Sequence, residues 1–262
     1  LCETTARHIN VPFYATAFDT LAVAKEEQIS VQMAARKLRY EWLEEIRKNH
    51  GFTHIATAHH LDDSIETLII NLSRGTGISG LTGIPRKNQH IVRPLLFASR
   101  EDIITYASEP GIDYREDRSN SELHYLRNKI RHTITPRLEE INPSLKKTMA
   151  EFFERMEATQ HLYKWAIKQQ KNNCIRWKEH EAEILIPTLL QQPQPEPLLF
   201  EILKEFQFTP AVSKEVFAKL DLQTGKHFLS DSHILLKDRD KLLIFPRNMP
   251  DSQGTYYIEE NT

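Results

Sequence analysis

Short apolar runs alternate with helical patterns along the first half of the chain. Apolar runs at residues 11–17, 54–58 and 91–96 predict β-strands. A helix is predicted from Ser30, whose hydroxyl can cap its first turn, to His50, and Gly51 is expected to end it. The stripe of this helix that is expected to be buried comprises Val31, Ala35, Leu38, Trp42 and Ile46. Strands that alternate with helices are typical of a parallel sheet, so the pattern predicts an α/β fold.

Further helices follow in sequence. A second helix is predicted over Asp62–Leu72. Ser99-Arg100-Glu101-Asp102 resembles a capping box and predicts a helix that stops at Pro110-Gly111. A polar loop over 113–121 and a helix from about Glu122 to Glu139, broken near its end by Pro136, are expected next. Asn142-Pro143 predicts the start of a long helix that reaches Trp165 or beyond.

The composition changes after this long helix. The stretch Gln191–Pro197 has the composition of a linker or a sharp turn. Helices are predicted over Leu198–Phe208 and Ser213–Leu220, and a β-hairpin over Ile234–Lys237 and Leu242–Phe245. We therefore expect three parts: an α/β domain over residues 1–135, a helical connector over 136–195, and the start of a smaller, mostly helical domain with a β-hairpin over 196–262.

The overall composition excludes several classes of protein. With 40% hydrophobic and 27% charged residues, the 262-residue chain is globular, neither collagenous nor wholly disordered. No apolar run reaches the length of about 18 residues that a membrane span needs, and no signal-peptide pattern is present. Two distant cysteines, Cys2 and Cys174, exclude a disulfide framework and favour a cytoplasmic location. The net charge of −2 gives no global argument for nucleic acid, so such binding requires a local basic patch.

The densest candidate chemistry is the string AHHLDDSIET over residues 58–67, between a predicted strand and a predicted helix. Open α/β sheets bind their ligands at this position. Asp62 and Asp63 lie four and three residues before Glu66, so the three carboxylates share a helix face that a bound cation or amine would relieve. The aspartates alternatively complement the helix dipole, or His59 and His60 join them in a metal site. Adjacent strand residues point to opposite faces, however, so only one histidine can join the carboxylates.

Two other segments are candidates for binding negatively charged ligands. Arg36 and Arg39 flank the apolar stripe of the first long helix, which suits a phosphate, although a solvated basic face is the simpler interpretation. The segment RNKIRH over 127–132 places Arg127 and Arg131 on one helical face. Such a patch suits contacts with a phosphate backbone, although charged helices are usually only solvated.

Four of the eight glycines fall between Gly75 and Gly83. Gly75, Gly77 and Gly80 fit the string G-x-G-x-x-G, but they follow a helix and not a strand, so a dinucleotide loop is rejected. A substrate loop and a structural turn both remain open.

Taken together, these segments resemble the tRNA(Ile)-lysidine synthetases of the PP-loop ATP pyrophosphatase family. The resemblance covers most of residues 29–145 and is carried by ISVQMAARKLRYEWL, IATAHHLDDSIETLIINLSRGTGISGLTGI, IVRPLL and DRSNSELHYLRNKIRHTITPRLEEINPSL. A weaker match is TGKHFLSDSHILLKDRDKLLIF, which resembles the domain that follows the catalytic one. The resemblance implies a PP-loop fold, similar to adenine nucleotide alpha hydrolases, with a parallel sheet.

The family resemblance also implies an activity. ATP adenylates the C2 oxygen of the wobble cytidine in a tRNA(Ile) with a CAU anticodon, and free lysine then displaces AMP to form lysidine. Magnesium is implied as a cofactor, and a homodimer is a further expectation. The implied roles are lysine binding by Asp63 and Glu66, contact with the adenylate phosphate by Arg39 and His59, and contact with tRNA by Arg127, Asn128 and Arg131. No resident metal site is expected.

One departure from the family pattern is large. The family binds ATP phosphates with a Ser-Gly-Gly-x-Asp-Ser loop after its first strand, and this string is absent from the 262 residues. We expect that the α/β domain is incomplete at its N-terminus and that this chain alone forms no lysidine. Lysine-dependent AMP release by the 262-residue chain would contradict that expectation.

Two other functions stay open at this point. One is a different PP-loop tRNA-modifying enzyme, such as a tRNA thiolase, although Cys2 and Cys174 lack the spacing for sulfur or iron–sulfur chemistry. The other is a non-catalytic tRNA-binding remnant.

Overall fold

The computed structural model describes residues 1–109, 111–114, 126–178, 181–221 and 224–247. The chain forms two compact units, Leu1–Gln160 and His161–Thr262, which are described separately below. The division falls inside one long helix. The three-part division expected from the sequence stays a prediction.

The first unit combines helices with a small sheet. Its helices are α1 (Cys2–His8), α2 (Thr20–Glu26), α3 (Val31–Asn49), α4 (Leu61–Arg74), α5 (Ile78–Leu81), α6 (Arg100–Ser108), α7 (Leu126–Lys129), α8 (Thr135–Ile141) and the first part of α9 (Leu145–Cys174). A π-helical turn over Ile130–Ile134 joins α7 to α8. The strands are β1 (Ile55–Ala56), β2 (Lys87–Asn88) and β3 (Ile91–Val92).

The sheet of the first unit has the order β1-β3-β2. Strands β1 and β3 are parallel, with Ile55 opposite Ile91, which confirms the predicted parallel pairing. β2 adds an antiparallel edge. The strand predicted over 11–17 is wrong, because that segment is extended but pairs with no described strand. Pro12 lacks a backbone donor, and the preceding Asn10 adopts a positive φ of 52°.

Local capping signals place α3 and α6. The Ser30 hydroxyl accepts a hydrogen bond from the Met33 backbone, and Gly51 follows the helix with a φ of 69°, so both predicted ends of α3 are confirmed. The predicted buried stripe is partly wrong: Ala34 is buried, whereas Val31 is exposed. Ser99 and Asp102 form the expected capping box at the start of α6.

The region around Pro136 differs from its prediction. Pro136 lies in the first turn of α8, where its missing donor costs nothing, so it starts a helix and does not break one. The interruption is the π-helical turn before it. The start of the predicted helix and most of the polar loop lie outside the described residues. The long helix predicted after Asn142 is confirmed as α9, and the Asn142 side chain accepts a hydrogen bond from the Ser144 backbone.

A close packing contact fixes the turn after α5. Gly83 has a φ of 67°, and a Cβ atom at this position would lie 2.9 Å from the ring of Phe153 and 3.1 Å from the Cβ of Ser64. Only glycine fits both the backbone conformation and the space.

The second unit contains an antiparallel sheet and three helices besides the end of α9. Its elements are β4 (Ile175–Trp177), β5 (Ala182–Leu185), α10 (Ile186–Leu190), α11 (Pro195–Lys204), α12 (Pro210–Ala218), β6 (His227–Leu229), β7 (His233–Asp238) and β8 (Lys241–Pro246). The sheet order is β4-β5-β8-β7-β6. The predicted hairpin is confirmed as β7 and β8, with Asp238 opposite Lys241.

Three of the five strands in this sheet were not predicted. β4, β5 and β6 are only three or four residues long, and β5 carries a charged residue, Glu183, in its centre. Glu183 is buried and pairs with Lys178 and Lys241, at 2.5 and 3.3 Å. The expected linker is a sharp turn, since α11 begins within it at Pro195. No helix among the described residues is long and apolar enough to cross a membrane.

Candidate functional site

The N-terminal turn of α4 follows β1 and carries the His-His-Leu-Asp-Asp string. The apolar side chains of Leu61, Ile65 and Leu68 hold this helix against Phe153 of α9. Because these residues fix one face of α4, the polar residues between them project from the adjoining face. The sequence pattern therefore sets the orientation of the carboxylates.

Glu66 is the most buried charged residue of this cluster, with only 1% of its surface exposed. Its carboxylate accepts two hydrogen bonds from Arg131, from Nε at 2.6 Å and from Nη2 at 3.2 Å. The Nε of Arg127 lies 3.2 Å from the same carboxylate. Residues that are 61 and 65 positions apart in sequence thus form one ion-pair cluster.

Asp63 and Thr67 extend the cluster along α4. The Asp63 carboxylate accepts a hydrogen bond from the backbone of His60 at 3.0 Å and lies 3.6 Å from Nη2 of Arg131. The Thr67 hydroxyl donates to the backbone carbonyl of Asp63 and accepts a hydrogen bond from Arg127. Thr67 therefore orients one guanidinium. Sequence reasoning missed it, although a hydroxyl one helical turn after Asp63 was a visible signal.

Burial and ion pairing act against each other at Glu66. Burial raises the pKa of Glu66 above its ordinary value, although the hydrogen bonds from Arg131 favour the ionised form. The carboxylate is therefore costly to leave without a cation.

Asp62 has a different set of partners. It accepts a hydrogen bond from the Arg100 backbone at 2.8 Å, and its carboxylate lies 3.4 Å from the ammonium of Lys146. Lys146 also pairs with Glu101 and Glu139, at 2.7 and 3.6 Å. These contacts join α4 to α6, α8 and α9, so Asp62 acts as a structural tie. This role was not evident from the sequence.

Asp62→Asn should weaken the acid sensitivity of the first unit. Burial alone would raise the pKa of Asp62, but His60, the Arg100 backbone and Lys146 hold it well below the ordinary value. A lowered pKa contributes stability above the unfolded-state value of about 4, and this contribution is lost as the pH falls below it. Melting temperatures between pH 7 and pH 3 should fall less steeply for Asp62→Asn than for the wild type. The exposed Asp113→Asn is the control, and an unchanged slope for Asp62→Asn would contradict the assignment.

The two histidines have separate surroundings. His60 lies 3.5 Å from Asp62 and 3.6 Å from Asp63, and the Asp62 carboxylate raises its pKa. His59 instead contacts the Thr57 hydroxyl at 2.9 Å, and burial lowers its pKa. The expectation that only one histidine joins the carboxylates is confirmed. Within the described residues, no three His, Cys, Asp or Glu side chains lie together as metal ligands.

Arg39 does not join the cluster. Its side chain is exposed on α3, and no interaction within the described residues links it to α4. Arg36, one turn earlier, lies over the ring of Tyr40 at 4.9 Å, and its charge contributes to the lowered pKa of His59. The role expected for Arg39 stays a prediction.

The glycine segment ends α4 and leads into α5. Gly75 has a φ of 74°, and Gly77 precedes the first residue of α5. A Cβ at Gly80 would lie 1.9 Å from the Thr76 hydroxyl, and the Gly80 carbonyl accepts a hydrogen bond from Asn71. Gly80 thus has a packing reason, whereas the space around Gly75 and Gly77 is open. A substrate role for this segment stays a prediction, as does the role of the buried Asn128.

The fold and the site define the class of protein: the chain belongs to the PP-loop family. The family model described as the PP-loop domain matches residues 1–138, just over half of the chain. A second model, described as the TilS substrate binding domain, matches residues 177–247. The family expected from the sequence is therefore confirmed.

Curated relatives narrow the comparison to proteins named tRNA(Ile)-lysidine synthase. The chain is 44% identical to the Parabacteroides distasonis protein over 243 residues, 93% of this chain and 55% of that protein. Identity with the Bacteroides thetaiotaomicron protein is 42% over 245 residues, 94% of this chain and 56% of the relative. The Bacillus subtilis protein is 33% identical over 200 residues, 74% of this chain and 40% of the relative. The chain spans about half the length of the first two.

Proposed function

We propose that this chain carries the lysine-binding and cytidine-binding part of a tRNA(Ile)-lysidine synthase. The observation that carries the proposal is the cluster of two carboxylates, Asp63 and Glu66, with two guanidiniums, Arg127 and Arg131. The reaction needs both kinds of group, because its substrates include a lysine cation and a tRNA polyanion. The similarity to proteins named tRNA(Ile)-lysidine synthase supports the same function.

The proposed reaction has two steps. The C2 oxygen of the wobble cytidine attacks the α-phosphorus of ATP and releases pyrophosphate. The lysine ε-amine then attacks C2, AMP leaves with the former C2 oxygen, and the amine loses a proton. Asp63 and Glu66 hold the ε-ammonium and assist that proton loss. His59 and Arg39 face the phosphate of the departing AMP, where positive charge or hydrogen bonding stabilises the developing negative charge.

Magnesium and the partners are part of the proposal. The described carboxylates do not fit a resident magnesium ion, because Asp62 pairs with Lys146, and Asp63 and Glu66 pair with arginines. No step is therefore assigned to a metal held by these residues. The proposed partners are tRNA(Ile) with a CAU anticodon, lysine, ATP and a second copy of the protein, in the cytoplasm.

Binding of tRNA tests the role of the arginines. The 262-residue chain should bind a tRNA(Ile) transcript with a CAU anticodon, measured by filter binding between 50 and 300 mM salt. Arg131→Ala should weaken binding and reduce the slope of log affinity against log salt by about 0.7, the value for one phosphate contact in a single strand. Arg137→Ala, which removes an exposed arginine paired with Glu140, is the matched control. Equal slopes for both variants would contradict the assignment of Arg131.

The two steps are tested with ATP and labelled lysine. The chain itself is expected to incorporate no lysine, because its sequence lacks the Ser-Gly-Gly-x-Asp-Ser string. A fusion that places this segment from a PP-loop relative ahead of Leu1 should incorporate lysine into the CAU transcript and release AMP. If the fusion binds the transcript but gives no lysine-dependent AMP release, the non-catalytic interpretation is favoured.

A further inference from the structure

The groups proposed to bind lysine are already occupied by cations of the protein itself. Glu66 holds Arg131 through two hydrogen bonds, and the second guanidinium of the cluster, Arg127, lies 3.2 Å from the same carboxylate. Asp63 lies 3.6 Å from Arg131. Two carboxylates thus face two guanidiniums, and the formal charges balance.

A lysine ammonium can enter this cluster only by exchange. Adding a third cation to a balanced, largely buried cluster leaves one positive charge without a partner, which is unfavourable away from water. Withdrawal of a guanidinium without replacement is equally unfavourable, because Glu66 would remain buried and ionised without a cation. One cation must therefore leave as the other arrives.

Arg131 is the cation that is placed to leave. It lies in the π-helical turn over Ile130–Ile134, between the four-residue helix α7 and the seven-residue helix α8. A π-helical turn contains one residue more than an α-helical turn, and an α-helix rotates by about 100° per residue. Loss of the extra residue from the turn would therefore swing the Arg131 side chain away from α4 without unfolding either helix.

We propose that Arg131 occupies the lysine subsite in the free protein and that phosphates of the tRNA anticodon loop withdraw it. This inference rests on the proposed function. The phosphate replaces Glu66 as the partner of Arg131, and the ε-ammonium of lysine replaces Arg131 as a partner of Glu66. Lysine then binds only when tRNA is present, so the site does not hold its amine nucleophile before the cytidine arrives.

Lysine binding to the 262-residue chain tests this coupling. Isothermal titration with lysine, without and with saturating CAU transcript, should show at least about tenfold tighter binding with tRNA. Arg131→Gln should bind lysine without tRNA about as tightly as the wild type does with tRNA. Arg137→Gln removes an exposed arginine that pairs with Glu140, and it should behave like the wild type. Equal lysine affinity of the wild type with and without tRNA would overturn the proposal.

A second pair of variants separates this proposal from the proposed function. Glu66→Ala should abolish lysine binding under all conditions; if it binds lysine as the wild type does with tRNA, the lysine site itself is wrongly assigned. If Glu66→Ala abolishes binding but neither tRNA nor Arg131→Gln changes the affinity of the chain, only the exchange is wrong. Arg131→Lys keeps a cation beside Glu66 and should retain the dependence on tRNA. Circular dichroism establishes that each variant is folded.

Discussion

Replacing Glu66 with alanine is expected to raise the lysine concentration for half-maximal lysidine formation about 100-fold in the fusion with the phosphate-loop segment. A hydrogen bond to a charged group contributes about 1.5–3 kcal/mol, and Glu66 offers two oxygen atoms to the lysine ammonium. The requirement for ATP should change little, because Glu66 contacts only the arginines of the cluster. Initial rates at varied lysine and at varied ATP give the two constants separately.

Glu140→Ala is the matched control for this measurement. Glu140 is an exposed glutamate that pairs with Arg137, so its loss removes the same charge without entering the cluster. The control should keep both constants within about twofold of the wild type, since surface ion pairs contribute about 0–1 kcal/mol. If Glu66→Ala raised the requirements for lysine and ATP equally, the assignment of Glu66 to lysine would be wrong.

Leu203→Ala is expected to destabilise the second unit by about 2–5 kcal/mol, since it leaves a cavity in a packed core. Leu203 is fully buried at the end of α11 and belongs to the apolar core of this unit. Urea unfolding can be followed by the fluorescence of Trp177, whose ring lies 5.8 Å from that of Phe206 in the same unit.

The matched control for this cavity is Leu229→Ala. Leu229 lies in β6 of the same unit, but 55% of its surface is exposed. Its replacement should change the unfolding free energy by less than about 0.5 kcal/mol, as is usual for surface substitutions. Similar losses for both variants would mean that α11 is not packed as described.

The features that could be predicted from sequence are those written in local patterns. Ser30 and Ser99 cap helices through contacts three residues away, and the β7–β8 hairpin pairs neighbouring segments. The helix period likewise placed Asp63 and Glu66 on one face of α4. Each of these predictions uses residues close together in the chain, where spacing alone determines geometry.

The features that could not be predicted depend on partners far away in sequence. The pairing of Glu66 with Arg131 spans 65 positions, and the tie between Asp62 and Lys146 spans 84. A single sequence shows that these residues are charged, but not which charges meet. Strand β5 was missed for the same reason, because the buried Glu183 is compatible with a strand only when Lys178 and Lys241 are beside it.

Gly83 has a consequence for the evolution of this chain. Every single-nucleotide change in a glycine codon that alters the encoded amino acid introduces a side chain, and here its first carbon would lie 2.9 Å from the Phe153 ring. No smaller residue exists as an intermediate step. A compensating change at position 153 would enlarge the space but would leave the φ of 67° unsuited to other residues. In a deep mutational scan, codon 83 should therefore accept almost only synonymous changes.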